Sequence, residues 1–225
     1  MNEVLRLVDS AALSDLGRFA ARARALDADG AMRLQATGPV LAAWVGVLPG
    51  SGILAEGTVL GLRTFALTEP TELDAVVPLG AVTDRTAHHT GGAELAVPPV
   101  RALAAWAAVT PPRGPWEPAG SLPGDLLAGV ARGGLTEVTD AVRERGAAAG
   151  FVRDRVWARD VREAAGPHPD LLAGDGTPGT GATVRAGGAF AAYALGFLEP
   201  GRDVAVFRSN RWTRLSAPGG HVLLR

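Results

Sequence analysis

Residues 31–48, AMRLQATGPVLAAWVGVL, decide the fold class. Met32, Leu34 and Ala36 alternate with Arg33, Gln35 and Thr37, which is the period of a half-buried strand. Thr37-Gly38-Pro39 then reverses the chain. Val40–Leu48 is so continuously apolar that, as a strand, it is expected to be covered on both faces or to lie mid-sheet. The chain's end repeats the theme. Val204–Phe207, a Ser209-Asn210 turn, Trp212–Leu215, a Pro218-Gly219-Gly220 turn and Val222–Leu224 read as a three-strand meander. One echo links the two regions. RLQA (33–36) stands before GPVL (38–41), and RLSA (214–217) stands before GGHVL (219–223), each as strand, glycine turn, strand. The second copy needs one extra residue, and composition bias makes so short an echo weak evidence of duplication.

Outward from these hairpins, residues 3–8 read as a short strand, and Asp9 or Ser10 can cap a helix in which Leu13, Leu16, Phe19, Ala20, Ala23 and Leu26 share a face. Thr58–Leu67, Asp74–Val77 and Ala93–Val97 read as strands, and Leu79–His89 as a helix. Leu103, Trp106 and Val109 fall on one face of a short helix. Five prolines between residues 110 and 125 are too many for a helix or a central strand. We read that stretch as an internal crossing within one domain spanning residues 1–225, because the strands before it and the helices after it each need a partner layer. Leu126–Ala131 and Leu135–Trp157 read as helical, with breaks at Gly133-Gly134 and near Gly146 or Gly150. Arg185–Leu198 reads as a buried helix of small residues. The expected fold is α+β: a mostly antiparallel sheet from the N-terminal strands and the C-terminal meander, with helices packed on one face.

The chain's 225 residues carry 47% apolar and 20% charged side chains and a formal charge of −1, the balance of a globular protein. Cysteine is absent, which removes disulfides, thiolate nucleophiles and cysteine-bearing metal sites. All 22 cationic residues are arginine, so lysine Schiff-base chemistry is excluded. The first ten residues carry Glu3, Arg6 and Asp9 where a secretory signal would carry an apolar run. The longest apolar stretch, residues 187–198, falls well short of the roughly 20 residues that cross a bilayer. A cytoplasmic protein without membrane contact is expected.

Motifs are few. Gly176-Thr-Pro-Gly-Thr-Gly181-Ala182-Thr183 fits the phosphate loop G-x-x-x-x-G-K-[ST] except at its lysine, and alanine cannot neutralise phosphate. Residues 174–179 fit G-x-G-x-x-G without a preceding strand. The reading is therefore a glycine-rich surface loop over 166–181. Histidines 88 and 89 are adjacent, His168 lies between prolines and His221 follows a glycine turn; none has metal-ligand spacing, so neither metal nor cofactor is expected. Asp84 and His88 stand four apart, where a carboxylate and an imidazole on one helical face make either a general base or a solvated pair at a helix end. No serine sits in a G-x-S-x-G elbow; Ser51 comes nearest. Glu69 with Glu72, and Asp154 with Asp160, read as surface charge. Arg153, Arg155, Arg159 and Arg162 alternate with acids, which reads as a salt-bridged face and not as a nucleic-acid stripe.

The segments GAMRLQATGPVLAAWVGVLPG (30–50), AFAAYALGFL (189–198) and RWTRLSAPGGHVLLR (211–225) resemble a group of uncharacterised proteins from high-GC actinobacteria. That resemblance implies a cytoplasmic bacterial setting and no particular activity. The residues themselves lead to a non-catalytic protein that binds a partner or self-associates, with Trp44, Trp106, Trp116, Trp157 and Trp212 as anchors where they are not core. The alternative is an enzyme using Asp84, His88 or His89 in a cleft beside the 166–181 loop.

Overall fold

The computed structural model describes residues 3–50, 52, 55–88, 91–146, 150–166 and 183–225. The chain divides into two compact units, Met1–Pro49 with Leu60–Thr110, and Gly50–Val59 with Pro111–Arg225. The fold is α+β and mostly antiparallel. His89, His168, Ser51 and the glycine-rich stretch beyond Gly166, with its phosphate-loop match, lie outside the described residues.

In the first unit the strands are β1 (Val4–Arg6), β2 (Ala31–Thr37), β3 (Val40–Leu48), β4 (Val59–Ala66), β5 (Leu73–Pro78) and β6 (Glu94–Ala96), and the helices are α1 (Ser10–Leu26) and α2 (Leu79–Ala87). Strand order is β5-β2-β3-β4, and β1 pairs with β6 antiparallel. Asp9 opens α1, its carboxylate accepting the Ala12 N–H at 2.7 Å, and Leu13, Leu16, Phe19, Ala20 and Ala23 are buried. Leu26, expected on that face, is 38% exposed because the helix ends with it. The two helices approach closely at Gly17, where a Cβ would lie 2.8 Å from Thr86 Oγ1.

Helix α1 packs on β3 and α2 on β5. They cover Met32, Leu34, Ala36, Leu41, Ala43, Val45, Ala75 and Val77. The other face carries Arg33, Gln35, Ala42, Trp44 and Gly46, all half-buried. β3 does lie mid-sheet, between β2 and β4. Its second face is covered only in part, by Trp106 set against Gly46, where a Cβ would lie 2.5 Å from the indole. The helix expected around Leu103, Trp106 and Val109 is a single 3-10 turn, Ala105–Ala108, and Leu103 is fully exposed.

In the second unit the strands are β7 (Glu117–Pro123), β8 (Asp203–Ser209), β9 (Trp212–Ala217) and β10 (Gly220–Leu224), in the order β10-β9-β8-β7. The helices are α3 (Gly124–Arg145), α4 (Gly150–Ala158), α5 (Val161–Ala165) and α6 (Ala186–Ala194). The proline-rich stretch thus contains a strand at the end of the order, where prolines are tolerated, with a bulge between Pro118 and Gly120. α3 runs unbroken through Gly133-Gly134, against the expectation of a break. Gly134 is there for space: a Cβ on it would lie 2.4 Å from Trp157 of α4. Trp157 stacks on Phe190 with centroids 4.7 Å apart, so this tryptophan is core. α6 is buried through its alanines and glycines, and Gly188 lets it settle on Leu215 and Leu224.

Candidate functional site

Asp84 and His88 fall in the first unit at the end of α2. The His88 Nδ1 contacts the main-chain oxygen of Asp84 at 2.7 Å, and the Asp84 carboxylate lies 3.8 Å from Arg24 and is largely exposed. Imidazole and carboxylate each have another partner, an arrangement that closes a helix end. The described residues that precede the glycine-rich stretch, α5 to Gly166, belong to the second unit.

A cleft of about 210 Å³ lies within the second unit, with Gly133, Gly134, Glu137, Arg159 and Ala164 in its walls. Glu137 pairs with Arg159 and, at 3.7 Å, with Arg155. Arg155 and Arg159 are thus neutralised from α3 by Glu137, and of the interleaved acids expected to do this Asp154 pairs with Arg153.

The other concentration of chemistry is on the sheet faces that no described helix of their own unit covers. Two buried side-chain nitrogens among the described residues make no hydrogen bond, Trp44 Nε1 and Arg214 Nε, and both lie on those faces. This is informative because buried polar groups are nearly always paired.

In the second unit, α6 packs on β10 and α3 on β7, covering Val204, Val206, Leu215, Val222 and Leu224. The opposite face presents Phe207 from β8, Trp212, Arg214 and Ser216 from β9, and His221 and Leu223 from β10. Register places Arg214 between Phe207 and Leu223, and Ser216 between Ala205 and His221. The Arg214 Cζ stands 4.5 Å from the Phe207 ring centre and 4.8 Å from that of Trp116. His221 Nδ1 lies 3.1 Å from Ser216 Oγ. Burial holds Arg214 below the usual arginine pKa. Burial first, and then the charge of Arg214, hold His221 below the ordinary 6.5, so its imidazole is neutral at neutral pH.

Such a cluster joins a stacked cation, a hydroxyl and a neutral imidazole, groups that recognise an anion or a flat polar ligand. Sequence reading noted His221 and Trp116 singly and missed Arg214, Ser216 and Phe207. The available signal was the echo with residues 33–36, which places Arg214 and Ser216 on one strand face.

No described helix is long and apolar enough to cross a membrane. Residues 1–108 match a family described as Domain of unknown function (DUF8010), whose span corresponds to the first unit apart from residues 50–59. No curated protein matches the chain. Residues 111–225, just over half its length, match Domain of unknown function (DUF8185), and the chain belongs to that family.

Proposed function

We propose that the protein is a non-catalytic one that acts by binding a protein partner or by self-association, through the sheet faces that no described helix covers. The observation that carries this reading is that each unit has a sheet face that no described helix of its own covers, with half-buried Trp44 on one and half-buried Arg214 on the other. Tryptophan and arginine dominate interface energetics because they bury much surface and still donate hydrogen bonds. Trp44, Trp106 and Trp116 are half-buried and available for this, whereas Trp157 and Trp212 are 6% exposed and act as core. A protein partner suits the interleaved arginines and acids better than a nucleic acid or a membrane surface does. A bacterial cytoplasm, in an actinobacterium, is the setting that accords with the sequence resemblance.

A photo-crosslinking phenylalanine placed at Ala42 or Ala205, each beside one of these clusters, tests the proposal in cells. The expected result is a discrete product, either a dimer of the chain or a conjugate with one other protein. Cross-linking from both positions no greater than from Arg18, on the exposed side of α1, would overturn it.

A further inference from the structure

We infer that Arg214, Ser216 and His221, with the rings of Trp116 and Phe207, form a binding site for a small planar organic carboxylate. The proposal goes beyond partner binding and stands without it. None of the Arg214 nitrogens hydrogen-bonds to another described residue, and the guanidinium forms no ion pair among them. Its Nε is sealed from solvent. The two rings at 4.5 and 4.8 Å occupy its stacking surface. What remains is the end-on edge of the two Nη groups, a planar pair of donors that matches the two oxygens of a carboxylate.

The charge balance selects the ligand further. At the cluster itself the charge is that of Arg214 beside a neutral imidazole, suited to a monoanion where a phosphate dianion calls for more, while Arg225 is engaged by Trp212, its Cζ 5.9 Å from that ring centre. Ser216 Oγ, held by His221 at 3.1 Å, adds one polar neighbour on the same sheet face. The Trp116 and Phe207 rings favour a flat apolar body attached to the carboxylate. Arg33 shows what the same fold does with an arginine it intends to close: two hydrogen bonds to one carboxylate, at 2.6 and 2.7 Å, from Asp74. Among the described residues no such carboxylate reaches Arg214.

The test is a titration of the full chain with benzoate, acetate and inorganic phosphate, followed by calorimetry and by the NMR signals of the His221 ring. Benzoate is expected to saturate with a dissociation constant of about 1 mM or tighter. The His221 signals should move with the same curve, and phosphate should bind at least about tenfold more weakly. Arg214→Gln should weaken benzoate at least about tenfold, while Arg18→Gln leaves it unchanged. If Arg214→Gln does not fold, the order of the three anions on the wild-type chain decides. Non-saturating benzoate, equal affinity for phosphate, or benzoate binding that survives in folded Arg214→Gln would each overturn the proposal.

Discussion

Arg33 and Arg214 hold matching places in two hairpins, yet their surroundings are opposite. Each precedes a buried leucine, Leu34 or Leu215, and each projects from the face that its unit's described helices leave uncovered. Arg33 gives two hydrogen bonds to Asp74 and a third, at 2.9 Å, to the main-chain oxygen of Ala107. Those bonds to Asp74 hold the guanidinium above its ordinary pKa and the Asp74 carboxyl below its own, with burial opposing both. Arg214 has two aromatic rings and, among the described residues, no carboxylate, and burial lowers its pKa. One strand pattern therefore yields a structural clamp in the first unit and an unmet demand for an anion in the second. The difference lies in the neighbouring strand: β5 brings Asp74 to Arg33, whereas β8 brings Phe207 to Arg214.

Removing the strand that frames Arg214 breaks the comparison most severely. Val222, Leu223 and Leu224 of β10 are all buried. Deleting residues 221–225 should cost about 5–9 kcal/mol at about 1.5–3 kcal/mol per side chain. The bonds linking Arg225 to Gly57 and Thr58 are lost as well. Since domains are stable by only about 5–15 kcal/mol, the truncated chain is expected to be insoluble or unfolded by circular dichroism. A soluble chain melting within about 2 °C of the parent would show β10 to be dispensable.

Arg33→Leu removes the clamp and leaves Asp74 and the Ala107 carbonyl without it. Charge-assisted hydrogen bonds contribute about 1.5–3 kcal/mol when buried, and Asp74 is half exposed, so a loss of about 1–2 kcal/mol is expected. A thermal melt should fall by about 2–8 °C.

Acidification separates the two faces. His221, lowered in the fold, is charged more readily in the unfolded chain, so stability should fall as pH drops through 6.5 toward the folded value. His221→Gln should remove that slope. Asp74, also lowered, supports stability above its unfolded value of 3.8, and this support is lost as pH falls through the lower folded value. Thermal midpoints measured from neutral to strongly acidic pH should thus show two losses, with the Arg214 face weakening first. A His221→Gln profile that overlays the wild type would contradict the assignment.

Much of the fold was legible because period and turns are local properties. The alternation in residues 31–36 and the glycine turns of the meander mark β2, β9 and β10, and Asp9 marks the start of α1. The unbroken α3 was not legible. A glycine pair signals a break in isolation, and only the close approach of Trp157 reveals that Gly134 is there for space. The candidate site was harder still, because Trp116, Phe207, Arg214 and His221 come from four segments whose meeting is set by register. Asp84 and His88 looked like a pair at helical spacing, but Arg24 and a main-chain oxygen are their partners.

Arg214→Leu, melted beside Arg33→Leu, tests most directly whether one arginine is held by its own unit while the other is held open. Losing the ring contacts costs about 0.5–2 kcal/mol, and relief of an unpaired, partly desolvated cation offsets it. The expected midpoint for Arg214→Leu lies within about 2 °C of the wild type or above it, well clear of the fall in Arg33→Leu. A fall in Arg214→Leu as large as in Arg33→Leu would mean that Arg214 is already satisfied within the fold, and the account of an open site would fail.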